Sequence, residues 1–110
     1  MTRVSFYRSK TRGGYRGFTA EGHAEAVGRD EYSIICAAVS VLTDTGVNAL
    51  ERVARVVPVV SEGDGSLACF LPEGLDDERW NLAQTVLRTI ESGLSDIAKQ
   101  YPKQVKLQEK

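Results

Sequence analysis

The chain has 110 residues, 42% of them hydrophobic, with 14 basic and 15 acidic side chains and a net charge of −1. This length predicts one domain, residues 1–110, and the hydrophobic content excludes a disordered chain of low hydrophobicity. The balanced charge excludes a protein whose main surface neutralises duplex phosphates, since such a surface needs clustered Lys and Arg.

The cysteine and histidine counts limit the chemistry. Cys36 and Cys69 are too few for a disulfide framework. Residues 1–10 lack the apolar segment of a secretory signal, and no run approaches the roughly 18 apolar residues of a membrane span. We therefore expect a cytoplasmic protein with free thiols and no membrane association. His23 is the single histidine, so chemistry that needs an imidazole must use it.

The beginning of the chain predicts a β-hairpin. Residues 3–8 alternate, with Val4 and Phe6 on one side, and residues 15–24 alternate again. Gly13-Gly14 between them is a tight-turn signal.

A polar loop and a long apolar helix are predicted next. Residues 25–31 are polar and irregular and include Gly28. Ser33 is a favourable N-cap residue, and the segment from Ile34 to about Arg55 is rich in Ala, Val, Ile and Leu near helical spacing. We expect this helix to be largely buried.

The remaining pattern completes an α+β domain. Val56–Val60, with Pro58, predicts an edge strand, and Ser66–Leu71 predicts its partner across a Gly-rich turn. Asp76-Asp77-Glu78 is typical of a first helical turn, and the apolar residues that follow recur at three- and four-residue intervals until Pro102. Lys103–Glu109 alternates as a final strand. The predicted order is β-β-α-β-β-α-β, with two helices packed on one mixed or antiparallel sheet.

Cys36 is the candidate nucleophile. If Ser33 caps the helix, Cys36 is its third residue, where unpaired N–H groups and the helix dipole favour a thiolate and can hold an oxyanion. His23 ends the preceding strand, thirteen residues earlier, and can serve as general base and then general acid. Ser40 lies one turn after Cys36 on the same helix face.

Several roles remain open from the residues alone. Glu25, Asp30 and Glu31 are all candidates to orient the imidazole. A cysteine in an Ala/Val-rich helix is more often a small buried hydrophobe, and Ser40 can bond a carbonyl one turn back. We interpret Cys69 and Trp80 as core residues. One His and two separated Cys favour no metal site, and the Gly-rich turns carry no phosphate-loop pattern.

The motif Gly22-His23-Ala24, followed by Cys36-Ala37-Ala38-Val39-Ser40, resembles the bacterial ribosomal-processing cysteine proteases of the Prp or YsxB-like family. The likeness extends over the whole chain. It implies a cytoplasmic, homodimeric cysteine endopeptidase without a cofactor, acting through a dyad of His23 and Cys36. Gly22 would be the small residue beside the catalytic histidine, and Ser40 a supporting hydroxyl.

The resemblance also implies a substrate, and this chain departs from the family pattern at one position. Family members remove an N-terminal extension from large-subunit ribosomal protein twenty-seven, cutting after an aromatic residue. The family usually has an acidic residue three positions before the cysteine, where this chain has Ser33; Asp30 or Glu31 can substitute after a small shift. We expect the loop containing Glu25, Gly28, Asp30 and Glu31 to order over the substrate peptide. The alternative function is a non-catalytic, ribosome-associated binding module with the same fold, in which Cys36 is merely packed.

Overall fold

The order of helices and strands agrees with the predicted order. The computed structural model describes residues 1–22 and 29–110, with side chains for all of these except 29–33. Predictions on His23, Glu25 and Gly28 therefore lie outside the described residues. In chain order the elements are β1 (Thr2–Arg8), β2 (Tyr15–Glu21), α1 (Arg29–Arg52), β3 (Val59–Gly63), β4 (Ser66–Phe70), α2 (Asp77–Gln100) and β5 (Val105–Glu109).

Five strands form one mixed sheet in the order β3-β4-β2-β1-β5. Neighbouring strands are antiparallel except β1 and β5, which are parallel. Phe6, Phe18 and Cys69 lie opposite one another on β1, β2 and β4, and all three are completely buried. They join apolar residues of both helices in one core. The predicted α+β fold, with both helices on one sheet, is confirmed, as is the core position of Cys69 and Trp80.

A glycine on each helix allows α1 and α2 to pack closely against each other. A Cβ at Gly46 would lie 2.6 Å from Cδ1 of Ile90, and one at Gly93 would lie 3.0 Å from Cδ1 of Leu42. Gly46 lowers the helix propensity of α1. Its missing side chain leaves room for Ile90 of α2.

The beginning of α2 agrees with the prediction from its acidic residues. The Asp76 carboxylate accepts a hydrogen bond from the backbone N–H of Arg79 at 2.9 Å, and Asp77 and Glu78 occupy the first turn. The bond from the Arg79 N–H holds the pKa of Asp76 below its ordinary value of 3.8. Acidic residues here complement the positive end of the helix dipole.

Gln84 of α2 forms two hydrogen bonds with the backbone of the β1–β2 hairpin. Its Oε1 accepts from the Tyr15 N–H at 2.6 Å, and its Nε2 donates to the Tyr15 carbonyl at 2.7 Å. Trp80 Nε1 donates to the Gly13 carbonyl at 3.0 Å. One helix face therefore holds the turn at three backbone groups.

We expect Gln84→Leu to lower the free energy of unfolding by about 2–3 kcal/mol, because two backbone groups of Tyr15 lose their partner. Urea denaturation measures this change. Gln100→Leu, at an exposed position of the same helix, is the matched control and should change stability by less than about 0.5 kcal/mol. Equal effects of the two substitutions would show that the contacts to Tyr15 are not stabilising.

Two predicted boundaries are wrong. The helix α1 begins at Arg29, before Ser33 rather than after it, so Asp30 and Glu31 belong to its first turn and not to a loop. The strand β3 is Val59–Gly63 instead of Val56–Val60. The two-residue turn that follows pairs Gly63 with Ser66 and so sets the register with β4. The prediction that β3 is an edge strand is confirmed.

By length and composition alone, one segment of α1, Ile34–Arg52, is long and apolar enough to cross a membrane. Polar residues interrupt this segment from Ser40 onward, so it is not an unbroken apolar run. The same segment contributes Ile35, Val39 and Leu50 to the core. Ile34 and Val41 of the same helix are exposed, so the expectation that α1 is largely buried is wrong.

Candidate functional site

A cavity of about 370 Å³ opens where α1 faces the ends of β2, β3 and β4. Strand ends and turns supply its other walls, so polar backbone lies close to side chains of the helix. Its lining consists of Thr2, Ala20, Glu21, Gly22, Cys36, Val39, Ser40, Thr43, Asp44, Glu62, Gly63, Gly65, Ser66 and Leu67.

One face of α1 presents the candidate nucleophile to this cavity. Cys36, Val39, Ser40 and Thr43 recur at three- and four-residue spacing and all line the cavity. Cys36 is a half-buried free thiol. The buried Thr43 hydroxyl donates to the carbonyls of Val39 at 3.1 Å and Ser40 at 3.2 Å. The prediction that Ser40 shares the face of Cys36 is confirmed.

The predicted activation of Cys36 by the helix start is wrong. Cys36 is the eighth residue of a helix that begins at Arg29, and not the third residue of one capped by Ser33. Only the first four N–H groups of a helix lack intrahelical partners, and the dipole effect fades beyond the first turn. The α1 terminus therefore supplies neither a strong thiolate-stabilising field at Cys36 nor oxyanion donors beside it.

Gly22 is held in a conformation that suits glycine alone. Its φ is 110°, and a Cβ there would overlap the Met1 carbonyl oxygen. Its N–H donates to the Gly65 carbonyl at 3.0 Å. The residue before His23 is thus fixed between β1 and the β3–β4 turn, on the wall of the cavity that contains Cys36.

The charged side chains of the cavity are acidic. Asp44 and Glu62 line it, and its described lining contains neither Lys nor Arg. Sequence reasoning did not identify these residues or Thr43. Thr43 could have been predicted from helical spacing, because it lies seven residues, about two turns, after Cys36. Glu62 lies beside the cavity only because of the order of strands in the sheet.

The structure brings together Gly22, Cys36 and Ser40 from the predicted set. Ser33, with Asp30 and Glu31, belongs to the beginning of α1. Glu25 and Gly28 of the predicted substrate loop, like His23, lie outside the described residues. Among the side chains that the structure describes, no group of three His, Cys, Asp or Glu could hold a metal ion.

Cys69 contrasts with Cys36. It is completely buried, and burial raises the pKa of its thiol from 9.0 to about 11. The unfolded chain releases this proton near pH 9 and the folded chain only near pH 11. The stabilising contribution of the buried neutral thiol is therefore complete below pH 9 and is lost as the pH rises to 11.

We expect this titration to remove about 2 kcal/mol of stability between pH 8 and pH 11. The buried Tyr15 phenol, whose pKa is raised by burial and by the Glu91 and Glu109 carboxylates, acts in the same direction. Urea denaturation of wild type and Cys69→Ala at both pH values separates the two. The stability difference between these proteins should shrink at pH 11. A constant difference would contradict the assignment to Cys69.

Solved structures with the same fold are known. The essential ribosomal processing protease Prp from Staphylococcus aureus, in complex with a substrate peptide, superimposes with a TM-score of 0.82 and 23% identity over 100% of both chains. The protein SMU.848 from Streptococcus mutans matches with a TM-score of 0.79 and 27% identity, over 100% of this chain and 96% of that one. No curated protein sequence matches significantly.

The family model described as "Cysteine protease Prp" matches residues 1–106. The match includes every element that forms the cavity, and it includes Cys36. The resemblance inferred from the Gly22-His23-Ala24 and Cys36-to-Ser40 motifs is confirmed. The chain belongs to the Prp family of ribosomal-processing cysteine proteases.

Proposed function

We propose that this protease removes an N-terminal extension from large-subunit ribosomal protein twenty-seven in the cytoplasm. The observation that carries the proposal is the half-buried Cys36 thiol on the wall of a cavity that Gly22, the residue before His23, also lines. The S. aureus relative, which shares the fold, is a ribosomal processing protease crystallised with a substrate peptide.

His23 and Cys36 form the catalytic dyad in this proposal. The imidazole takes the Sγ proton, and the thiolate attacks the scissile carbonyl carbon. His23 then donates the proton to the leaving amine as the C–N bond breaks, which leaves a thioester on Cys36. Water, deprotonated by His23, hydrolyses the thioester and restores the thiol. Because Cys36 lies two turns into α1, activation depends on this base and not on the helix dipole.

The cavity suits an extended peptide with an aromatic residue before the scissile bond. Val39 and Leu67 provide apolar wall, and a volume of about 370 Å³ lies within the range of small-ligand clefts. The carboxylates of Asp44 and Glu62 complement a peptide that carries Lys or Arg beside the cleavage point.

We further propose that the protein is a homodimer. Four valines at the outer edge of the domain, around β3, are 39–74% exposed: Val53, Val57, Val59 and Val60. The strand β3 is also an edge of the sheet that the described residues form, and none of those residues pairs with its outer row of backbone groups. Sedimentation velocity of wild type and Val59→Lys tests this surface, and a monomeric wild type would refute the dimer.

Cleavage of the full-length ribosomal-protein precursor from the same organism tests the function. Wild type, Cys36→Ala, His23→Ala and the control Cys69→Ala are incubated with the precursor, and intact mass identifies the products. We expect one N-terminal cut by wild type and Cys69→Ala, and none by the other two. An uncut precursor that is retained in a pull-down would favour the binding-module alternative. A precursor that is neither cut nor bound would exclude this substrate.

A further inference from the structure

The sheet has a second face, on which neither helix of the described residues packs. The alternation that buries Val4 and Phe6 under the helices places Ser5 and Tyr7 on this opposite side, which we call the open face. On β5, Gln108 Nε2 donates to Ser5 Oγ at 2.8 Å, so Gln108 belongs to the open face as well. Because β1 pairs with β5, the first and the last strand of the chain lie side by side on this face.

The open face is basic although the whole chain is nearly neutral. Strand alternation and ring contacts place four exposed cations on it: Arg3, Arg16, Lys106 and Lys110. Among the described residues of the strands, Glu21 at the end of β2 is the acidic side chain that the alternation puts on the same side. Four of the 14 basic residues of the chain therefore lie on one face of the sheet.

Aromatic rings alternate with these cations. The rings of Tyr7 and Phe70 lie 5.5 Å apart between centroids. The Arg16 guanidinium carbon lies 5.3 Å from the Tyr7 centroid and 5.1 Å from that of Phe70, and Lys110 Nζ lies 5.9 Å from Tyr7. Both rings are half-buried and present part of their surface at the centre of the sheet.

A hollow of about 530 Å³ continues this surface beyond Phe70. Lys10, Arg12 and Arg16 line it, and the Arg12 guanidinium stacks on the Trp80 ring at 4.5 Å. Arg12 also pairs with Asp77, and the Glu73 side chain lines the hollow. The hollow is thus cationic and aromatic in the same way as the open face, with two carboxylates at its border.

We propose that the open face binds single-stranded RNA, with the hollow taking a nucleotide at one end. Cations spaced along a surface neutralise phosphates, and exposed rings or stacked guanidinium planes accept unpaired bases. An acidic peptide would use the charges but not the rings. The half-buried Gln108 amide and the Tyr7 and Thr19 hydroxyls, which lie 3.4 Å apart, are hydrogen-bonding partners available to ribose 2′-hydroxyls.

Fluorescence anisotropy with a labelled 12-nucleotide single-stranded RNA tests the proposal, with Cys36→Ala as the parent protein. This parent separates RNA binding from proteolysis, so either proposal can fail alone. We expect binding that weakens with salt, with a slope of log K against log salt of about −2 to −3, as for three to four phosphate contacts.

Two variants and a matched control locate the site. Arg16→Glu combined with Lys106→Glu should weaken binding at least about tenfold and flatten the salt slope. Tyr7→Leu should weaken binding about five- to tenfold with the slope unchanged, because stacking is lost and charge is not. Arg88→Glu, at an exposed position on α2, makes the same kind of charge reversal and should leave affinity within about twofold.

Four outcomes would overturn the proposal. The first is no RNA binding at low salt, and the second is an equal loss in Arg88→Glu. The third is equal or tighter binding of a poly-glutamate peptide, a duplex RNA or a single-stranded DNA of matched length. The fourth is a dimer that dissociates in Arg16→Glu/Lys106→Glu, which would make the open face a subunit interface.

Discussion

Iodoacetamide at pH 7.5 is expected to alkylate Cys36 of the native protein at least roughly 10³-fold faster than Cys69. Cys69 is completely buried, and with a pKa of about 11 it is ionised in only about one molecule in three thousand at this pH. Cys36 lines an open cavity. Peptide mass spectrometry of the two cysteine-containing fragments, sampled over time, measures both rates in one experiment.

The His23→Ala variant distinguishes a Cys36 thiol activated by the histidine from one that is merely accessible. In the proposed dyad, His23→Ala should lower the Cys36 alkylation rate at pH 7.5 by about tenfold or more, because the thiolate loses its cationic partner. Accessibility alone would leave the rate of the variant unchanged. Denatured protein is the control, since both cysteines should then react alike. A Cys36 that reacts as slowly as Cys69 would restore the interpretation of a packed, non-catalytic thiol.

Gly22→Ala is expected to reduce both stability and cleavage. The φ of 110° strains any L side chain, and the added Cβ meets the Met1 carbonyl oxygen, so β1 or β2 must shift. We expect a loss of at least about 2 kcal/mol in the free energy of unfolding. Because His23 follows directly, a displacement of about 1 Å at this point should cost about 10²-fold in kcat/KM.

Gly74→Ala is the matched control for this substitution. Gly74 also has a positive φ, 78°, but a Cβ there would meet no atom within 4 Å, and Gly74 does not line the cavity. It should therefore show the backbone strain of about 1–2 kcal/mol without loss of kcat/KM. Equal losses of activity in the two variants would show that Gly22 matters only through stability.

The sequence by itself determined the fold class and one half of the candidate site. Alternation in β1 and helical spacing in α2 are repeated over many residues, so local deviations do not change the interpretation. The four-residue separation from Cys36 also placed Ser40 on the same helix face. The Gly22-His23-Ala24 and Cys36-to-Ser40 motifs identified the family because His, Cys and Ser all fall in its pattern, a combination more specific than any one of them.

Predictions that rested on a single residue were less reliable than those that rested on a repeated pattern. Ser33 is a good N-cap, yet an N-cap preference of about 1 kcal/mol does not stop a helix whose preceding residues can also be helical. Asp30 and Glu31 resemble Asp77 and Glu78 at the start of α2, and acidic residues of this kind mark a first turn. That parallel predicts the observed start of α1 better than the serine does.

Only the tertiary structure decided which distant residues share a surface. The acidic wall of Asp44 and Glu62 and the basic open face both depend on the strand order β3-β4-β2-β1-β5. A sequence pattern specifies which side of a strand a residue occupies, but not which strand lies beside it. Pairing is set by long-range packing of the core, and for that reason a nearly neutral sequence folds into two surfaces of opposite charge.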